Sequence, residues 1–253
     1  MHTLFGTDGI RGVAGEPPLD AATIFAVGRA FGQLLRQQSA SGKVLLGEDT
    51  RESSPWVTSY LAAGLRAAGA EVVSAGVLPT AAIAHLVRAR GLAAGAIVSA
   101  SHNPYRDNGI KLIGSSGMKL PDKVEAQLEE RVGELRPPEE PAPWSPPVDL
   151  GLAEDYAAHL RRVLGEADLA RLHLVVDCGH GAATRVAPAL FRSLGAAVTA
   201  LHAAPDGRNI NPASGGTLHP ECLRKKVLEV GADLGVAFDG DADRAIFASR
   251  AGK

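Results

Sequence analysis

Apolar positions along the chain change their period repeatedly. From Asp20, a residue suited to cap a helix, Ile24, Val27, Phe31, Leu34 and Leu35 recur at the three- and four-residue steps of one helix face. Residues 43–47 then form a short β-type run, Ser54-Pro55 opens a second helix carrying Leu61 and Leu65, and 71–74 reads as a strand. A third helix spans 79–90, with Ile83, Leu86 and Val87 on one face, and 96–99 is a buried strand. It leads into a polar loop over 101–109, followed by a strand at 110–113 and a helix at 121–135. Residues 136–148 are so rich in proline and acid that neither a helix nor a central strand suits them, and they are expected to be a linker.

The second half repeats the theme. A helix over 156–164 precedes a strand at 172–177, a helix at 186–194 and a strand at 198–201. A long loop at 204–216 leads to a helix over 220–230 and a last strand at 234–238. Strands alternating with helical segments predict an α/β fold: two βαβ-type domains, 1–148 and 149–253, with mixed, mostly parallel sheets and helices on both faces. No short-period repeat is present.

Composition narrows the class. With 45% hydrophobic and 21% charged residues among 253, the chain sits near globular averages, which argues against disorder and coiled coil. A formal net charge of -2 argues against nucleic acid or an anionic membrane as the main partner. Two cysteines, Cys178 and Cys222, are too few for a disulfide framework and have no zinc-ligand spacing, so a reduced, cytoplasmic setting is expected. The first residues lack a basic and an apolar targeting region, and no stretch reaches the ~20 apolar residues of a membrane span.

The sharpest chemical signal is Asp239-Gly240-Asp241-Ala242-Asp243-Arg244, directly after the last strand. Carboxylates at alternate positions leaving a strand can converge on one hard cation, and an oxygen-only set favours Mg²⁺ over zinc. An EF-hand is excluded because its sixth and twelfth positions would be Arg244 and Arg250. The blander alternative is a solvated acidic turn. A further one is a phosphatase in which Asp239 forms an aspartyl-phosphate. Haloacid-dehalogenase-like enzymes do this, but they differ where this chain has Asp243 and carry their motif near the N-terminus.

Ser101 lies just beyond a buried strand, beside His102, in a loop kept off helix by Asn103-Pro104. An imidazole, a cation or a metal could activate it as a nucleophile; alternatively it is an ordinary loop serine, with Asn108-Gly109 making a turn. Phe5-Gly6-Thr7-Asp8-Gly9-Ile10-Arg11-Gly12 reads as a Gly-rich loop able to hold a phosphate through backbone N–H groups and the Arg11 guanidinium, or as a simple N-terminal turn. Asp177-Cys178-Gly179-His180-Gly181 lacks the third glycine and the later acid of a dinucleotide site and is expected to be a structural turn.

In this order, the Gly-rich motif, Ser99-Ala100-Ser101-His102-Asn103-Pro104 and the aspartate motif resemble the signatures of the α-D-phosphohexomutase superfamily. The 177–183 segment and Asp206-Gly207-Arg208-Asn209-Ile210-Asn211 are most similar to its branch acting on glucosamine phosphates. The resemblance covers essentially all of this chain but only about half of the family's length, so the chain is expected to be an N-terminal portion. The family's two later domains, with a sugar-recognition loop and a further phosphate-binding loop, are the missing C-terminal part.

The resemblance implies that Ser101 carries a phosphoryl group, that Asp239, Asp241 and Asp243 with a phosphoserine oxygen hold one Mg²⁺, and that Arg11, Arg244 and Lys111 offset phosphoryl charge. His102 and Lys111 are both candidates for proton handling at the sugar hydroxyl. The implied reaction converts glucosamine 6-phosphate to glucosamine 1-phosphate, an amino-sugar isomerase step primed by a hexose 1,6-bisphosphate. Glucose and mannose phosphates are the alternative substrates, and a non-catalytic sugar-phosphate or metal-binding module is a further alternative.

Overall fold

The computed structural model describes residues 4–38, 42–136, 138 and 140–253. The first sheet contains β1 (Ile10–Val13), β2 (Lys43–Glu48), β3 (Glu71–Val77), β4 (Ala94–Val98) and β5 (Asp107–Gly114), in the order β1-β5-β4-β2-β3. Its β3, β2 and β4 run parallel, while β5 runs antiparallel to both β4 and β1. Helices α1 (Ala21–Gln37), α2 (Ser54–Ala67) and α4 (Asp122–Glu134) share one core, in which Phe31, Leu61 and Leu128 meet the strand residues Val44, Leu46 and Leu112. Asp20 caps α1 as expected, accepting the Thr23 amide at 3.0 Å.

The opposite face is covered by α3 (Thr80–Ala89) and α5 (Gly151–Leu164). Helix α5 begins five residues before the expected 156, because Leu152 and Tyr156 are buried together with Ile83, Leu86 and Val87 of α3. Apolar burial against another element extends a helix beyond what its own polar first turn suggests.

The second sheet contains β6 (His173–Asp177), β7 (Ala197–Leu201), β8 (Leu234–Phe238) and β9 (Ala245–Ser249), in the order β7-β6-β8-β9. The first three are parallel and β9 returns antiparallel to β8. A short 3₁₀ turn, Ala182–Arg185, and α6 (Ala187–Ser193) cover one face; α7 (Glu221–Val230) covers the other. The α/β class, the mixed sheets and the two-sided helical cover are as expected.

Three local readings need correction. Residues 10–13 belong to a strand, with Arg11 opposite Gly109 and Gly12 opposite Asn108. Consequently 107–109 are strand residues, and Asn108-Gly109 is not a turn. Residues 245–249, which carried no expected element, form β9. Among the described residues, no helix is long and apolar enough to cross a membrane.

The connection pattern positions the chemistry. Strands β2, β4, β6 and β8 end at Glu48, Val98, Asp177 and Phe238, just before Asp49, the Ser101 loop, Cys178 and the aspartate loop. The carboxyl ends of parallel strands are where open α/β sheets place ligands. Here the two sheets turn those ends towards each other, as the contacts between Thr80 and Asp241, Thr50 and His180, and Ser101 and Asp239 show.

Candidate functional site

Ser101 sits at the junction of the two sheets. It is 2% exposed, and its backbone is left-handed, with φ 52°. A non-glycine residue in that region costs about 1–3 kcal/mol and persists only where its surroundings hold it. The Ser101 hydroxyl donates to Asp239 Oδ2 at 2.7 Å, and His102 Nδ1 lies 3.4 Å from Ser101 Oγ.

A buried polar network supports this loop from behind. Asp49 Oδ2 accepts from Ser99 Oγ at 2.6 Å and Arg51 Nε at 2.9 Å; Asp49 Oδ1 accepts from Ser54 Oγ at 2.8 Å and the Arg51 amide at 3.0 Å. Ser99 Oγ in turn accepts the Ser101 amide at 2.9 Å. Arg51 Nη2 donates to the carbonyls of Ser101 at 3.0 Å and Asn103 at 2.9 Å, and Nη1 to that of Pro104. Both members of the Asp49–Arg51 ion pair have fully buried side chains.

Among the described residues, Asp239, Asp241 and Asp243 are the group of three or more potential metal ligands that converges, with one donor atom from each within 4.8 Å of the others. Asp239 and Asp241 are buried and Asp243 is exposed. Asp239 Oδ1 accepts the Arg244 amide at 3.1 Å, so both of its oxygens are engaged by this chain. Asp241 Oδ2 accepts from Thr80 Oγ1 at 2.6 Å, whereas its Oδ1 is buried with no hydrogen-bond partner. Burial, then the charge of Asp241, pushes the Asp239 carboxyl up to about 6, against the lowering effect of the Ser101 hydroxyl. Burial raises Asp241 as well, opposed by the Thr80 hydroxyl.

An orphaned buried carboxylate oxygen within a close set of like charges is the electrostatic condition that a hard divalent cation relieves. The donor set therefore fits a metal ion with oxygen ligands.

The candidate cations surround this centre unequally. Lys111, on β5, places Nζ 3.7 Å from Asp243 Oδ2, and Arg244 Nε lies 3.8 Å from Asp243 Oδ1. The nearest carboxylate to Arg11 is instead Asp8, at 3.7 Å. Arg11 lines a cavity of about 790 Å³ together with Gly6, Thr7, Asp8 and Gly9. His102 is held below the usual imidazole range, first by burial and then by the positive charges of Arg244 and Arg11. Thus Ser101, His102, Lys111, Arg244 and the three aspartates form one centre, and Arg11 flanks it.

Sequence reasoning missed Asp49, Arg51 and Thr80, which support the site, and placed Ser99 and Asn211 within motifs without assigning them a role. Asp49-Thr50-Arg51 immediately after an apolar strand was the available signal. Asp177 accepts the amides of Gly179 and Gly216 and contacts His202 Nδ1 at 3.0 Å.

The chain matches the model for phosphoglucomutase/phosphomannomutase alpha/beta/alpha domain I over residues 2–138 and that for domain II over 154–252. It is 46% identical to a phosphoglucosamine mutase of Koribacter versatilis over 98% of this chain, and 47% identical to one of Solibacter usitatus over 99%. These alignments cover 55% and 56% of the relatives, so the chain spans about half their length. The crystal structure of a phosphoglucomutase/phosphomannomutase family protein from Burkholderia thailandensis superposes with a TM-score of 0.83 at 32% identity, over 100% of this chain and 56% of that one.

Proposed function

Since the chain belongs to the phosphoglucomutase/phosphomannomutase family, we propose that it is the part of a phosphoglucosamine mutase that carries the phosphoryl group. In this reading residues 1–148 bear the acceptor serine and 149–253 the carboxylates that face it. The carrying observation is the buried Ser101 hydroxyl, 2.7 Å from Asp239 and held in a left-handed backbone. The names of the relatives at 46% and 47% identity support glucosamine phosphate as the sugar.

Ser101 Oγ attacks a phosphorus of a hexose 1,6-bisphosphate. The Oγ–P bond forms, the P–O bond to the sugar breaks, and the sugar oxygen recovers a proton to leave as a hydroxyl. The reverse transfer onto the other hydroxyl of a glucosamine phosphate completes an interconversion of the 6- and 1-phosphates. The serine proton is directed at Asp239 Oδ2, while His102, with Nδ1 3.4 Å from the serine oxygen, and Lys111 are the candidates to supply the proton that the leaving sugar oxygen takes up. Lys111 and Arg244, both at Asp243, and Arg11 offset charge on the phosphoryl oxygens. Asp239, Asp241 and Asp243 would hold Mg²⁺, which when bound withdraws charge from the transferring group. Asp239 is the weaker candidate for carrier because both its oxygens already accept hydrogen bonds. The two free cysteines, one of them buried, support a reducing cytoplasmic setting.

The test is the half-reaction. The chain, charged from a radiolabelled hexose 1,6-bisphosphate with Mg²⁺, is chased with glucosamine 6-phosphate, glucose 6-phosphate or mannose 6-phosphate. Fastest discharge to glucosamine 6-phosphate, yielding its 1,6-bisphosphate, is expected. Faster discharge to glucose or mannose 6-phosphate would overturn the sugar assignment.

A further inference from the structure

The serine loop is gripped from both sheets: from the second, Asp239 accepts the Ser101 hydroxyl and the Asn211 side chain holds the loop's carbonyls. Asn211 lies in the long loop after β7, with its amide donating to the Gly179 carbonyl at 2.8 Å. Its carboxamide Nδ2 donates to the Ser101 carbonyl at 2.7 Å and to the Asn103 carbonyl at 3.1 Å. Those same two carbonyls receive Arg51 Nη2 from the first sheet. The serine turn is thus pinned between a guanidinium on one side and an amide on the other. Asn211 is itself left-handed, with φ 50°, a conformation that asparagine tolerates better than most residues. Its loop is further tied to the first sheet where the Glu52 amide donates to the Gly207 carbonyl at 2.9 Å and Arg208 Nε donates to Glu52 Oε2 at 2.6 Å.

We propose that Asn211 is a positioning residue for Ser101: by holding the Ser101 and Asn103 carbonyls it keeps the serine in its left-handed turn, with Oγ aimed at the carboxylate centre. This rests on the proposed role of Ser101 as phosphoryl acceptor. Asn211 does not contact the reacting oxygen, so its effect falls on the rate of transfer and not on how tightly the donor binds. Because Ser101 and Asn211 come from different sheets, the same contact makes the geometry of the acceptor depend on how the two sheets are docked.

Two variants separate the carboxamide from the backbone. Asn211→Gly tolerates the positive φ and removes the side chain; Asn211→Asp keeps the shape but replaces the donor by an acceptor facing two carbonyls. Both are charged with hexose 1,6-bisphosphate and Mg²⁺, and phosphate on Ser101 is followed by mass spectrometry. Both should label at least ~10-fold more slowly than wild type, since displacements of about 1 Å can cost ~10²-fold. The final stoichiometry should be unchanged and the half-saturating donor concentration should stay within ~2-fold, a pattern that partial unfolding would not produce. Hydrogen–deuterium exchange over residues 99–105 should be faster in both variants. Wild-type labelling rates, or unaltered exchange, would overturn the proposal. Failure of the unsubstituted chain to label would count against the proposed function, while the exchange measurement would still decide whether Asn211 holds the loop.

Discussion

Replacing Arg51 by methionine tests whether the buried network behind Ser101 is a structural necessity. The substitution leaves Asp49 buried without its cation and removes one donor each from the carbonyls of Ser101, Asn103 and Pro104. Breaking a buried ion pair costs ~3–5 kcal/mol. Several partners survive, which sets the expectation at the low end. Asp49 keeps the Ser54 and Ser99 hydroxyls and a backbone amide, the Ser101 and Asn103 carbonyls keep Asn211, and the Pro104 carbonyl keeps the Asp107 amide. A loss of about 3 kcal/mol follows, against roughly half that for Arg51→Lys, whose ammonium lacks the planar fork that spans four acceptors. The chain has two tryptophans, Trp56 and Trp144, both packed against the core of the first sheet, so urea unfolding followed by their fluorescence reports on that unit. At a slope of ~2 kcal/mol/M the midpoint should fall by about 1.5 M for the methionine variant. A midpoint within ~0.3 M of wild type, or lysine matching arginine, would refute the reasoning.

A Cβ at Gly240 would lie 2.5 Å from the Ser101 carbonyl and 2.9 Å from Ile210 Cδ1, so Gly240→Ala should displace the serine turn and slow Ser101 phosphorylation by ~10–100-fold; an unchanged time course by mass spectrometry would contradict the contact. His102→Gln should slow the same transfer by about 10²-fold while Lys111→Met mainly weakens donor binding, and the opposite pattern in single-turnover kinetics would give the proton to Lys111. Because burial and neighbouring charge raise Asp239 to about 6 in the metal-free fold, the stabilisation its protonated form provides is complete below about pH 4 and is lost as pH rises towards 6, a difference of up to ~3 kcal/mol. Metal-free Asp239→Asn should therefore match wild type in thermal melts near pH 4 and exceed it at pH 7.5, and Mg²⁺ should stabilise wild type increasingly over the same interval. A pH-independent difference would refute this assignment.

Much of the fold was legible because its signals are local. The Asp20 cap, the helical spacing from Ile24 to Leu35 and the continuous apolar run of β8 each lie within one segment. The aspartate centre was legible for the same reason, since its three carboxylates come from a single turn. What escaped depends on pairing across the chain. Strand β1 has only four residues, one of them glycine and one arginine, and exists because β5, about a hundred residues later, supplies its partner. Arg51 and Asp49 look like surface residues after a strand and are buried only because each neutralises the other and the serine loop supplies carbonyls. Asn211 is similar: its contacts are to two carbonyls that the serine loop of the first sheet brings to it.

The central claim is that Ser101 is the phosphoryl acceptor of a mutase-type centre facing the three aspartates. Its most direct test is to incubate the protein with a hexose 1,6-bisphosphate and Mg²⁺ and to locate the added phosphate by peptide mapping in acid. One acid-stable phosphate on Ser101, absent in Ser101→Ala, is the expected result. An acid-labile acyl phosphate on Asp239, or label that persists in Ser101→Ala, would contradict the account.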